Sequence, residues 1–344
     1  MLQLAVRADV RVSDGQLAAT FVVPISVSAV NDAPVVTGSN TPLSYTENDA
    51  AKAIFTSLTI TDPDNTTLTS ATISITTGFA TGQDVLNFTP NSTNFGDIAL
   101  TSYANGVLTL TSASGTATLA QWTAALKSVT YNNTSDNPST TARTVSLVVN
   151  DGGTSNNLST AITNTITVIA VNDAPTITVA PSSFTVTEDV AGNLTFTGTP
   201  FADVDSTSLT ITLSVADGTI SALSSGGITV GGTPTARTFS GTISALNTYF
   251  TTSGNITYQG ALDANGAHTL TIQADDGSSA NNLTSTTTTI NITAVNDAPI
   301  VTTVTRAREP FLTADMLAHG AHLNAAGAII KGFAEIVLRS QGQA

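Results

Sequence analysis

Residues 164–175 read NTITVIAVNDAP, and this stretch decides the fold. Ile166, Val168 and Ala170 alternate with Thr165, Thr167 and Ile169, the two-residue period of a strand with one buried face. Asn172-Asp173-Ala174-Pro175 then ends the strand. Proline offers no N–H to a ladder and confines the residue before it to extended backbone. The stretch is therefore a strand with a stiff, extended exit.

The pattern occurs three times. FVVPISVSAVNDAP occupies 21–34 and TTTINITAVNDAP occupies 287–299. The junctions thus open at Asn31, Asn172 and Asn296, and the first interval is somewhat longer than the second. An Asp-Gly pair precedes each junction at a similar distance: Asp14-Gly15, Asp151-Gly152 and Asp276-Gly277. Strand, Asp-Gly turn, strand and junction make a hairpin that closes each repeat. The chain then divides into the closing hairpin and linker of one module (1–34), two whole modules (35–175 and 176–299), and the start of another followed by a tail (300–344). Runs such as LTITD, ATISIT, GVLTLTSA, LTFTG and LTITLSV lie between, separated by Gly, Asn and Asp. They predict an all-β chain of tandem antiparallel sandwiches, elongated overall. Each whole module has one helix-like stretch, TLAQWTAALKSV or TISALNTYF. These are expected to be short crossing turns that bring Trp122, Leu126 and Phe250 to the core.

Composition agrees. Only 10% of the 344 residues are charged, and Thr, Ser and Asn supply the polarity, a mixture that favours strands over helices. Acids outnumber bases 24 to 10, giving a net charge of −14. Such a surface repels nucleic acid and anionic membranes and attracts cations. There is no cysteine. The opening MLQLAVRADVRVSDG is interrupted by Asp9 and Asp14 and does not read as a signal peptide. No window is long and apolar enough for a membrane span, so no membrane insertion is expected.

The acids keep register. Asp32, Glu47 and Asp62 are evenly spaced, and Asp173, Glu188 and Asp203 repeat the same interval. The acids at 62 and 203 open Asp62-Pro63-Asp64 and Asp203-Val204-Asp205. The first module is the longer, and its extra residues all lie after Asp64, so these acids belong to the shared framework. One reading is that Asp, Asn and Gly simply make turns. The other is that the carboxylates gather at the joints around a divalent cation. Ca²⁺ takes six to eight oxygens from carboxylates, amides and backbone.

Over residues 1–304 the pattern resembles the cadherin repeat, and residues 35–170 are also similar to the longer repeats of bacterial adhesins and chondroitin-sulfate-proteoglycan-type proteins. The resemblance implies immunoglobulin/cadherin-like sandwiches with Ca²⁺ at the joints. At Asn172-Asp173 it implies Glu47 from the module before, with Asp203, Asp205 and Asp275 or Asp276 from the module after. At Asn31-Asp32 it implies Asp62, Asp64 and Asp151, and at Asn296-Asp297 it implies Glu188. The linker lacks the leading Asp of the cadherin form and neither module has an Asp-Arg-Glu segment, so fewer or weaker ions are expected.

The tail departs from the repeats. In residues 305–344 bases slightly outnumber acids, the reverse of the rest of the chain. Leu323, Ala326, Ile329, Ile330, Phe333 and Val337 predict an amphipathic helix from Leu323 to Arg339. Asp315, His319 and His322 are similar to the C-terminal His block of SGNH hydrolases, with His322 as the base. Position 319 is not Asp and no Gly-Asp-Ser block stands upstream, so no enzyme is expected. The expected role is a structural or adhesion module of a large bacterial protein, extracellular or on the cell surface, with calcium ions and an unknown surface glycan or protein ligand as partners. A carbohydrate- or matrix-binding module without metal is the alternative. Only 5% of residues are aromatic, few for a stacking platform.

Overall fold

A computed structural model describes residues 4–38, 41–179, 181–297, 321–323 and 329–331. Among the described residues, strands dominate and only three short helices appear, so the fold is all-β. The first ribbon pairs β1 (Leu4–Ser13) with β2 (Ala18–Val27), antiparallel, around the Asp14-Gly15 turn.

The first sandwich runs through β3 (Val35–Gly38), β4 (Leu43–Thr46), β5 (Lys52–Ala53), β6 (Leu58–Thr61), β7 (Ser70–Thr77), β8 (Asp84–Asn87), α1 (Ser92–Phe95), β9 (Ile98–Ala104), β10 (Val107–Ser112), α2 (Leu119–Lys127), β11 (Thr130–Asn133), β12 (Arg143–Asn150) and β13 (Ile162–Ile169). A six-stranded sheet in the order β4-β13-β12-β7-β10-β9 faces a three-stranded one, β5-β11-β8. β4 joins β13 in parallel, whereas the hairpin β12–β13 is antiparallel.

The second sandwich repeats the plan: β14 (Thr176–Ile177), β15 (Ser183–Thr187), β16 (Gly192–Asn193), β17 (Phe201–Ala202), β18 (Ser208–Val215), β19 (Thr219–Ala222), β20 (Thr229–Thr233), β21 (Ala236–Thr242), α3 (Ile243–Thr251), β22 (Ile256–Gln259), β23 (Gly266–Asp275) and β24 (Leu283–Thr293). Its sheets run β15-β24-β23-β18-β21-β20 and β16-β22-β19.

Each sandwich has its own core, because the inward positions of the alternating strands are apolar. Val145, Leu147, Val149, Ile166 and Val168 line the first, and Leu270, Ile272, Ala274, Ile290 and Ile292 the second. The outward positions of the same strands are mostly Thr, Ser and Asn.

The helix-like stretches are true helices of 9 residues each, not mere crossing turns. Thr118 and Gln121 form a reciprocal capping box that starts α2, and Thr242 caps α3. Trp122, Leu126 and Phe250 are fully buried, as expected of core anchors.

The tail differs from its expectation. β25 (Ala321–Leu323) pairs antiparallel with β26 (Ile329–Lys331), so at its described residues the Leu323–Arg339 stretch is strand, not helix. Adjacent β-branched Ile329 and Ile330 favour a strand, and Asn324 and Gly327 between the two are turn-forming types. The rest of that stretch lies outside the described residues.

Candidate metal centre

The end of the first sandwich is built around Glu47. The parallel pairing of β4 with β13 carries one step further, the Glu47 N–H donating to the Ile169 carbonyl at 2.8 Å. The chain then turns through Asn48, whose φ of 62° suits asparagine better than most side chains. Tyr45 holds the turn by donating to the Asp49 carbonyl at 2.8 Å. Glu47 is thereby only 5% exposed and points at the linker, where its Oε2 accepts from Val171 N–H at 2.8 Å. Its Oε1 is buried with no hydrogen-bond partner.

Asn172 and Asp173 bind the other side. Asn172 Nδ2 donates to Asp276 Oδ2 at 2.7 Å and to the carbonyls of Asp173, Ala280 and Asn281. Ser278 returns a hydroxyl bond to Asn172 Oδ1 at 2.7 Å. The Asp173 N–H donates to Asp205 Oδ2 at 2.7 Å. Asp203 Oδ1 accepts from the N–H groups of Asp205 and Ser206, the local turn that Asp makes readily, but its Oδ2 is buried and unpartnered. Of the two acids at the Asp-Gly turn, Asp276 belongs to the joint. Asp275 instead closes the hairpin through Gly277 N–H and Asn282.

Carboxylate oxygens of Glu47, Asp136 and Asp173 lie within 4.8 Å of one another. Burial pushes the Glu47 carboxyl up despite the Val171 bond, and the charges of Asp173, Asp205 and Asp136 push it further. Asp173 is raised by burial and then by Asp205, Asp136 and Asp203. Asp276 goes the other way: burial is outweighed by hydrogen bonds from Asn172 and Ser278. The site therefore has excess negative charge on the Glu47 side and satisfied charge on the Asp276 side.

The first joint copies the second. Asn31 Nδ2 donates to Asp151 Oδ2 at 2.9 Å and to the carbonyls of Asp32, Ser155 and Asn156. The Asp32 N–H donates to Asp64 Oδ2 at 3.3 Å, and Asp62 Oδ1 accepts from Asp64 and Asn65 N–H. Asp62 Oδ2 is buried without a partner, as at Asp203, and burial raises this carboxyl. Gly153 packs so closely here that a Cβ would sit 2.7 Å from Asn31 Cγ. Among the described residues Asp32, Asp62, Asp64 and Asp151 form no three-carboxylate cluster.

At the third joint Glu188 Oε2 accepts from Val295 N–H at 3.2 Å, and Glu188, Asp189, Asp263 and Asp297 cluster within 4.8 Å.

Sequence reasoning missed Asp136, Asp189 and Asp263. Asp136 and Asp263 sit in corresponding loops, after β11 and β22, but they stand at unequal intervals before Asp151 and Asp276, so no fixed spacing reveals them. Position in the loop before the Asp-Gly hairpin is the shared signal. Of the tail's candidate residues, Asp315 and His319 lie outside the described residues, and His322 stands in β25 opposite Ile330.

The donor set is all oxygen, from carboxylates, amides and carbonyls, and it includes buried oxygens with no hydrogen to accept. That fits a hard cation such as Ca²⁺. Among the described residues, no helix is long and apolar enough to cross a membrane.

Halomucin of Haloquadratum walsbyi is 35% identical to this chain over 109 residues, 31% of the chain and 1% of that protein. The chain thus spans about a hundredth of that relative's length. A family model described as "Ornithine cyclodeaminase/mu-crystallin family" matches residues 278–339, which take in β24 of the second sandwich. Similar solved structures include mouse Cadherin-23 EC22-24, 15% identical at a TM-score of 0.32, covering 85% of this chain and 74% of that one. Mouse clustered PcdhgC3 EC1-3 is 15% identical at a TM-score of 0.31, covering 86% and 78%.

Proposed function

We propose that this chain is a run of structural and adhesion modules from a large extracellular or cell-surface protein of bacterial type, with joints stiffened by Ca²⁺. Glu47 is the observation that carries the reading. A carboxylate oxygen is buried without a donor, beside Asp136 and Asp173, at the joint between the two described sandwiches. Burying a charge without a counter-charge is costly, so the arrangement calls for a cation. Glu47, Asp136, Asp173, Asp203 and Asp205 would hold it, with Asn172 and Asp276 fixing the linker beside them. Calcium supplies the positive charge that lets these acids share one site. The protein's part is to bring acids from two sandwiches to one extended linker, so that holding them together limits bending. The cadherin-like order of these acids along the chain supports the same reading. The likeness to Halomucin over 109 residues also suits a repeat used many times in a long polypeptide.

No reaction belongs to this reading, and ester hydrolysis sensitive to His322→Ala would contradict it. Calorimetry or terbium luminescence tests the metal directly. Binding in the millimolar range or tighter, lost in Asp203→Asn with Asp205→Asn while both sandwiches stay folded, is the expected result. Identical titrations of the two proteins would reduce these acids to turn formers.

A further inference from the structure

We infer that the ion pair buried inside the first sandwich is a positioning device for the joint: Asp84 and Arg143 hold the loop that reaches across to the second sandwich. Both side chains are fully inaccessible. Arg143 Nε lies 3.1 Å from Asp84 Oδ2 and Nη2 lies 3.1 Å from Oδ1. Asp84 also accepts from Tyr131 hydroxyl at 2.6 Å, Asn133 Nδ2 at 2.8 Å and Ala80 N–H at 2.8 Å, so its own needs are met within the module. The third nitrogen of the guanidinium, Nη1, turns outward and donates to the carbonyls of Ser139 and Thr141.

Those carbonyls belong to the loop of residues 134–142 between β11 and β12. Further bonds brace it: Ser135 N–H to Asn133 Oδ1 at 3.0 Å, Asn137 N–H to Ser135 Oγ at 3.1 Å, and Ser139 N–H to Gln83 Oε1 at 3.3 Å. The tip presents two side chains to the neighbour. Asp136 joins Glu47 and Asp173. Asn137 Nδ2 donates to the Val204 carbonyl at 2.6 Å, in the middle of Asp203-Val204-Asp205. One hydrogen-bonded chain thus runs from a buried ion pair to the acidic loop of the next module.

Stability alone is a poor reason for such a pair, since apolar side chains of similar size often serve a core as well or better. Apolar groups cannot hold two carbonyls of a loop, whereas the rigid guanidinium fork can. The second sandwich places a different base at the corresponding position, in a partly exposed setting. His268 stands at the same interval before Asp276 as Arg143 does before Asp151. Its Nδ1 lies 3.1 Å from Asp217 Oδ1, which also faces the Tyr258 hydroxyl at 3.3 Å. Its Nε2 lies 3.4 Å from the Asn265 carbonyl, in the loop that carries Asp263. A base near the start of the corresponding strand thus faces the corresponding loop in both modules, buried and holding two carbonyls in the first, partly exposed in the second.

The test compares the full chain with Arg143→Lys, with Asp84→Asn combined with Arg143→Gln, and with Asn137→Ala. Three quantities are read: the melting of the first sandwich, calcium affinity, and amide exchange of residues 134–142 and 203–206 in chelator. The affinity readout rests on the calcium reading; the exchange readout does not. Expected are a loss of calcium affinity of roughly tenfold or more, as for residues that orient metal ligands, and faster exchange in both segments. Asn137→Ala should speed exchange at 203–206 and weaken calcium without moving the first sandwich's melting. If the Arg143 variants melt lower but affinity and exchange stay at the wild-type values, the pair is only structural and the inference is overturned. If the wild type binds no calcium, the calcium reading fails, and unchanged exchange would then sink this inference by itself.

Discussion

A single carboxylate such as Glu47 can be judged only against what surrounds it. In the sequence it is one acid at a repeated spacing, equally readable as a turn residue. Its burial, its unpartnered oxygen and the neighbouring Asp136 come from folding together segments far apart in the chain. The even intervals were legible because they lie within the framework before Asp64, whereas Asp136 and Asp263 lie in loops of unequal length. With the carboxyl raised by burial, Glu47→Gln should leave the metal-free protein as stable as before or more so, and should remove the stabilisation gained on adding calcium. Melting with and without chelator checks both halves; a metal-free loss as large as the calcium-bound loss would count against a metal role. The buried tyrosines give an alkaline prediction. Burial, and then the charge and hydrogen bond of Asp217, push Tyr258 up to about 12; burial and Asp84 push Tyr131 up as well. An unfolded tyrosine ionises near pH ~10. A phenol that resists ionisation in the fold but not in the unfolded chain makes unfolding easier as pH climbs past that value. Stability should therefore be constant in these groups below about pH 10 and fall as pH rises from there toward their folded values. Tyrosinate absorbance of these residues should appear together with unfolding, not as a titration of the intact fold near pH ~10.

Elements were the most legible scale. Period-two runs became strands with the apolar face inward, because one buried face leaves little freedom of register. Asp14-Gly15 became a hairpin turn, while Asp151-Gly152 and Asp276-Gly277 open longer hairpin loops. Helices were read less well. The run around Trp122 is too short for a strong period, and what makes it a helix is the Thr118–Gln121 capping box and the fit of Trp122 into the core. In the tail an apparent helical period gave way to β-branched pairing at Ile329–Lys331. The two sandwiches have separate cores, so damage to one should stay local. Trp122→Ala removes a fully buried ring and the indole bond to the Leu68 carbonyl at 3.0 Å. It should cost about 3–5 kcal/mol, and calorimetry should show one of two transitions falling while the second sandwich melts unchanged. A single transition falling as a whole would mean the modules unfold together. The ribbon β1–β2 pairs along its whole length, yet Val12 is 66% and Phe21 67% exposed. A two-stranded ribbon is marginally stable on its own. Its amides should exchange far faster than those of the equivalent hairpins β12–β13 and β23–β24, which sit inside six-stranded sheets.

At the scale of the whole molecule, repetition fixes the order of modules and the linkers fix how they can move. A net charge of −14 on a chain with few bases means that neighbouring modules repel, and the repulsion is greatest where acids from two modules converge. Two effects of added salt must be separated. A monovalent salt screens charge everywhere, with a Debye length of about 10 Å at 0.1 M, but fills no buried site. A calcium ion in the Asn172-Asp173 joint would neutralise a few acids at one place and tie both modules to the linker. Extracellular calcium modules bind at about 10⁻⁴–10⁻³ M, so about 5 mM Ca²⁺ should occupy most of such sites. An ion at ten times its dissociation constant, bound only by the folded state, adds about 1.4 kcal/mol. Magnesium demands a tighter octahedral shell and gives up water reluctantly, so it should substitute poorly. Small-angle scattering at constant ionic strength separates these cases. Calcium should narrow the distribution of shapes and raise the melting temperature, magnesium should do less, and sodium chloride at matched strength should do neither. The change should vanish in Asp203→Asn with Asp205→Asn. Equal responses to all three salts would leave general screening as the whole effect, and the joint would then be a simple extended linker.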